Sequence, residues 1–362
     1  MEHKLRYISV VYMILLSVGL FAHVEIIPFL LRIAKRDSWI TILLTVIILP
    51  VWINLLYKIV AIVKTRSIIQ LMRDHGSTFS YYMLFLPLCF YMLMSAFVTA
   101  KDIIFWSQLS YMQGFNSFIL AFVLLIFCLL ATESGLFSIG LLSSILCPLV
   151  ILFGFFISFA NMGKKHYELL LPLFSDGYLP MMQGFFYTSL PIFELFIIIF
   201  LTPVLKKVIS NKQLLLVGLV IIGLMLGPTV GAITEFGPKQ SAEFQFPAYE
   251  EWRLIAIGRY FSHADFFAIF QWLSGGVIRI SLFIFITSRI LTKGETNAKV
   301  VRGIYTILLI ACSYPIAQSL YTSIVYEYFR PLSFVLLTVQ ISIFTVYVMK
   351  HKQMWSGGKI ES

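Results

Sequence analysis

The chain has 362 residues, of which 59% are hydrophobic and only 12% charged. Soluble domains carry about 25% charged residues, so this balance, with apolar runs recurring along the whole length, excludes an ordinary soluble fold and points to repeated membrane crossing. The net charge of +10 does not argue for nucleic acid, because no run of five basic residues exists; in a membrane protein Lys and Arg gather in cytoplasmic loops against anionic headgroups.

Ten apolar segments follow in chain order, at 7–31, 38–60, 79–104, 116–132, 137–160, 181–204, 213–233, 265–290, 301–321 and 329–349. Each can cross roughly 30 Å of hydrocarbon as a helix. Helices are required because backbone groups in lipid must be paired internally, and the runs lack the alternation of a lipid-facing barrel. The first segment has little polar sequence before it and no small-residue cleavage site after it, so it reads as a retained span. Ten crossings put both termini on one side. Cytoplasmic termini place Lys58, Lys64, Arg66, Arg73, Lys206, Lys207, Lys293 and others inside, against a smaller outer set that includes Arg32, Lys35, Arg36, Lys101 and Arg330. The bias favours that orientation, although "RIAKR" at 32–36 counts against it.

Two connections, 161–180 and 234–264, are long, and both fall on the outer side. The second contains "EEWRLIAIGRYF", with Trp252, Ile255 and Phe261 among polar neighbours. It reads as an amphipathic interfacial helix entered through Pro247, serving as a cap on the bundle or as a gate. The whole of 1–362 is expected to form a single transmembrane domain. Five spans fill about 7–160 and five about 181–349. Odd parity gives the halves opposite topology, the plan of an inverted-repeat transporter whose first helix in each half is broken at mid-membrane. Gly19 and Pro28 in span one, and Pro191 in span six, are candidates for those breaks.

A charge at the bilayer centre costs about 2.5–3.5 kcal/mol on insertion scales and usually faces inward. Glu194 in span six and Arg279 in span eight lie near mid-span, and Glu25 with His23 lies in the outer half of span one. The expectation is a Glu194–Arg279 pairing, beside a cavity lined by the carbonyls that Pro191 leaves unpaired. The "SGG" at 274–276 is expected to allow close helix approach. No glycine-rich nucleotide loop, zinc-binding His pair or nucleophile elbow is present, so no catalytic residue, metal or cofactor is expected. Cys89, Cys128, Cys147 and Cys312 lie in apolar runs without metal-ligand spacing and read as small buried hydrophobes.

The segment "FPAYEEWRLIAIGRYFSHADFFAIFQWLSGGVIRISLF" (246–283) resembles the GerAB-type spore-germination permease family, part of the amino acid–polyamine–organocation superfamily. The matching features are Phe246-Pro247, Tyr249-Glu250, Arg253, Ile257-Gly258, Asp265, Trp272, Gly276 and Ser281, with "AKRDSWI" at 34–40 similar to the start of the family's second span. Two places depart from the pattern. Phe21 and His23 stand where a small-residue break is common, and Arg279 where a lysine is common. The resemblance implies the membrane subunit of a germinant receptor. It would bind a small nutrient, commonly an amino acid, among spans one, three, six, eight and ten. It would work with an A-type subunit and a C-type lipoprotein in the spore inner membrane. By that plan the ligand meets Gly19, Ala22 and His23; Tyr91 and Ser95; Ser189, Pro191 and Glu194; and Trp272, Gly276 and Arg279. An amino acid permease, and more remotely a membrane enzyme, are the other readings.

Overall fold

The computed structural model describes residues 4–255 and 264–355. Among them the chain is helical throughout, with one isolated bridge between Leu5 and Leu205 and no strand. The helices are α1 (Tyr7–Leu20), α2 (Ile27–Ala34), α3 (Ser38–Val63), α4 (Ile68–His75), α5 (Thr78–Ser110), α6 (Ser117–Glu133), α7 (Gly135–Ala160), α8 (Leu179–Phe193), α9 (Ile198–Leu201), α10 (Asn211–Phe236), α11 (Pro238–Glu243), α12 (Pro247–Arg253), α13 (Phe266–Leu291), α14 (Ala298–Ser313), α15 (Gln318–Ser323), α16 (Arg330–Lys350) and α17 (Lys352–Trp355).

Among the described residues seven helical stretches are long and apolar enough to cross a membrane. The first, Tyr7–Val63, has 57 residues, which at 1.5 Å each far exceeds one crossing. It turns at Lys35–Asp37, where Lys35 has φ 44°. The apolar α6, at 17 residues, is shorter than these seven. Large apolar side chains such as Ile47, Val51, Phe127, Leu152, Ile307 and Val346 are exposed, a surface suited to lipid. Helices begin where polar side chains take up their free N–H groups: Ser67, Ser77, Asn116, Ser210 and Asn297 all do so, Ser210 within a full capping box with Gln213.

Burial ranks the helices. In the most apolar window of Leu179–Val204, 83% is buried, against 28% for Gly135–Ala160, so α8–α9 is central and α7 peripheral. Helix α13 lies between α1 and α5. Its paired glycines make this possible: a Cβ on Gly275 would stand 2.9 Å from Leu20 Cβ of α1, and one on Gly276 would collide with Ile103 of α5. The close-approach reading of "SGG" therefore holds.

The expected breaks take a different form. Span one does not unwind; it widens into a π turn at Phe21–Ile26. Span six tightens into a 3-10 turn at Glu194–Ile197, three residues after Pro191. A third irregularity, the π turn Ile324–Phe329, joins α15 to α16. The boundary between the last two spans also moves. Helix α14 stops at Ser313, because Tyr314 precedes a proline and takes an extended conformation (ψ 126°). The next helical stretch starts at Gln318, so 318–321 belong to the tenth apolar segment and not the ninth.

The connection after α10 holds two short helices. Helix α12 opens at Pro247 as expected but ends at Arg253, and the part of the expected helix at 256–261 lies outside the described residues. Trp252 and Ile255 are buried with Phe153, Phe156 and Ile157 of α7, so this part caps the bundle.

Candidate functional site

Four charged side chains from four parts of the chain meet in the interior: Glu25, Glu194, Arg279 and Arg330. The last three have no exposed surface, and Glu25 only 2%. Glu194 and Arg279 form a two-pronged pair, Nη1–Oε2 2.6 Å and Nη2–Oε1 2.6 Å. Tyr91 of α5 donates its hydroxyl to the same carboxylate. Arg279 also donates through Nη1 to the Ser17 carbonyl (3.2 Å) and through Nε to Thr99 Oγ1 (3.0 Å). Thr99 passes the chain on to Glu25 Oε1 (2.7 Å), and Arg330 Nη2 holds Glu25 Oε2 at 2.6 Å. Two carboxylates and two guanidiniums make the set neutral, as a low-dielectric interior requires.

The π turns bring this set together. Phe21 in the first places its ring against both guanidiniums, 4.7 Å from Arg279 and 4.5 Å from Arg330, and its π face attracts both. Glu25 lies in the same turn, and its backbone carbonyl accepts the hydroxyl of Tyr326 (2.9 Å) from the second π turn. Tyr326 also stacks on Phe29 at 4.4 Å.

Of the residues expected from sequence, the structure brings Tyr91, Glu194 and Arg279 into direct contact, so the anticipated ion pair is present. Ser95 lies on the same face of α5, midway between Tyr91 and Thr99, and is buried. Ala22 is buried inside the π turn. The others lie elsewhere. Gly19 sits against Leu224 of α10, and His23 Nδ1 approaches the Leu224 carbonyl at 3.2 Å. Ser189 bonds back to Phe185 O within α8 (2.7 Å), and Pro191 is packed in the interior. Gly276 serves helix packing. Trp272 is further out, against Trp106 at 4.0 Å.

A space of about 30 Å³ adjoins Glu25, Asp102, Trp272, Tyr321, Thr322 and Tyr326; Pro191 is not among its lining residues. Sequence reading missed Thr99, Asp102, Tyr321, Tyr326 and Arg330. Arg330 and Lys101, both counted as outer-loop cations, are buried. Lys101 donates to the Cys312 and Tyr314 carbonyls (2.7 and 3.0 Å), closing the end of α14. A signal was available for Arg330: it directly precedes Pro331 at the mouth of an apolar run, a position suited to the first turn of a helix.

The family model described as "Spore germination protein" matches residues 5–321. The chain is 33% identical over 343 residues to Spore germination protein XB of Bacillus anthracis, covering 93% of this chain and 96% of that protein. A match across nearly the whole length, on an all-helical chain rich in membrane-length apolar helices, leads to one conclusion: this chain belongs to the spore-germination permease family of membrane proteins.

Proposed function

We propose that the chain is the nutrient-sensing membrane subunit of a germinant receptor. It acts in the inner membrane of the spore with an A-type subunit and a C-type lipoprotein. Its ligand is a small nutrient of the amino acid class. Ten crossings in two inverted halves, 7–160 and 181–349, with cytoplasmic termini, complete the reading. No catalytic step is assigned to it.

One observation carries this. The buried charges tie together the first π turn, α5, the 3-10 turn after α8, α13 and the start of α16, the five spans from which the family resemblance would build a pocket. A neutral network of this kind has a discrete set of partners. A ligand that binds one arrangement of the five spans more tightly than another shifts the balance between them. Tyr91, Ser95, Glu194 and Arg279 are the residues through which that shift would be felt.

The test is germination of spores in which this chain is the only subunit of its type, followed by loss of optical density on each of a panel of amino acids. Arg279→Lys keeps the charge but not the two-pronged geometry, and is expected to slow the response at least tenfold at equal protein level. Spores lacking the chain that respond to every nutrient at the normal rate would sink the proposal. Uptake of labelled amino acid by the purified chain alone in proteoliposomes would replace it with a permease, a reading favoured by the register changes in the middle of three spans.

A further inference from the structure

The outer cavity contains a carboxylate without an ion-pair partner among the described residues. Glu25 is satisfied on both oxygens, by Thr99 and by Arg330. Asp102 of α5, one of the lining residues, is not. Its Oδ1 accepts the hydroxyl of Tyr321 at 2.8 Å, and among the described residues it has no ion pair. The neighbouring cation in sequence, Lys101, is turned to the carbonyls at the end of α14. Arg32, on the rim, is exposed to solvent. Four aromatic side chains, Phe246, Trp272, Tyr321 and Tyr326, make up much of the rest of the wall, beside Val24, Pro28, Gln245 and Thr322.

A carboxylate without an ion-pair partner, in a cavity lined in part by aromatic side chains, selects positive charge. The volume, about 30 Å³, admits one small group and not a whole nutrient. A metal ion would ask for several convergent oxygen ligands, whereas an ammonium group needs one strong acceptor and tolerates aromatic walls. We infer that this cavity receives the ammonium group of the ligand, with Asp102 as its counter-charge and Tyr321 as the residue that holds Asp102 in place. The inference rests on the nutrient-sensing reading and names the chemical group recognised: a primary amine, presented from the outer side. The amine then lies next to Glu25, the end of the buried network, so occupancy and the network share a residue.

The experiment uses the full chain in detergent, with thermal unfolding measured against methylammonium chloride. Sodium and potassium chloride at equal ionic strength, and the neutral N-methylacetamide, are the controls. The expected result is a saturable rise in Tm of about 2 °C with methylammonium above both salts. The rise is absent in Asp102→Asn, and absent in Thr322→Tyr, which fills the cavity without removing a charge. Thr322→Tyr keeps the question decidable if Asp102→Asn does not fold. An equal rise with sodium or potassium makes this a metal-cation site and overturns the inference. So does a methylammonium effect that survives both substitutions, and so does the lack of any effect in the wild-type chain. Failure here with nutrient-specific germination intact removes the ammonium assignment alone. Loss of the germination phenotype with the methylammonium effect intact removes the sensor role and leaves the site.

Discussion

At the residue scale, the centre of the molecule is one bidentate ion pair and what it touches. Glu194 and Arg279 were visible in the sequence because a charge in an apolar run is costly and therefore informative. Their partners were not visible. Thr99 and Tyr91 are ordinary residues on α5, and Ser17 contributes only a backbone carbonyl. Phe21 looked like a bulky departure from the family pattern, and the structure supplies its reason: its ring lies against the guanidiniums of both Arg279 and Arg330. Removing one member of a buried pair strands the other, at a cost of about 3–5 kcal/mol. Glu194→Gln and Arg279→Met are each expected to destabilise by that order. The double variant should lose less than the two single losses summed, by at least about 1 kcal/mol. Denaturant unfolding of the four proteins measures the cycle, and strict additivity would deny the coupling.

At the scale of elements, the irregular turns were only half legible. Pro191 marked the right place in span six, because a proline disturbs the ladder it cannot join. Each π turn is likewise followed two residues later by a proline, Pro28 after Phe21–Ile26 and Pro331 after Ile324–Phe329; Pro28 was read as a break, whereas a turn that widens rather than unwinds was not legible. Helix α12 shows a similar division. Its proline start was readable, but its burial against α7 was not. That burial has a measurable consequence at Glu251. Removal from water, then the nearby Glu235, push its carboxyl well above the usual range, while Lys165 opposes them. Room for this carboxylate comes from Gly231 of α10, where a Cβ would stand 2.6 Å from Glu251 Oε2. Asn161 ties the two acidic residues together, donating to Glu235 Oε2 (3.0 Å) and to the Glu251 backbone carbonyl (2.8 Å). The folded state therefore holds a proton that the unfolded state releases. The related stability is fully present below the ordinary carboxylate pKa of about 4.3 and is lost as pH rises through the elevated folded value. Tm should fall between pH 5 and 8, and Glu251→Gln should flatten that slope and raise Tm at pH 8. A slope unchanged by the substitution would place the titration elsewhere.

At the scale of the whole molecule, the two faces of the bundle sort themselves by contact. On one face Lys35 pairs with Asp176 (3.1 Å), and both Asp37 oxygens accept the Phe174 N–H (3.1 Å). The "RIAKR" cluster thus lies against the 161–180 connection. On the other face the chain start is clipped to the end of span six. Leu5 N–H donates to Val204 O (2.6 Å), Lys206 N–H donates to Leu5 O (3.3 Å), and Lys4 Nζ donates to Pro203 O (2.6 Å). The Leu5 side chain fills a notch at Gly140 of α7, where any Cβ would collide with it. Gly140→Val should expel Leu5 and speed trypsin cleavage after Lys4 and Arg6 several-fold, read by mass spectrometry; an unchanged rate would mean that the clip does not depend on this notch. Orientation is tested with single cysteines at Lys239 and Lys207, because the four native cysteines are buried. Cytoplasmic termini require an impermeant maleimide to reach position 239 and not 207 in intact cells.

The sequence by itself determined that the chain lives in a bilayer, where most of its long helices run, and which two mid-span charges pair. Those follow from the cost of placing bare backbone or charge in hydrocarbon, a local penalty written residue by residue. Only the tertiary structure decided where the open space lies. Arg279 is fully buried against Glu194 and a cavity lies at Asp102, Tyr321 and Tyr326, because filling a volume depends on side chains from helices far apart in the chain, whose rotation about their axes no local pattern records.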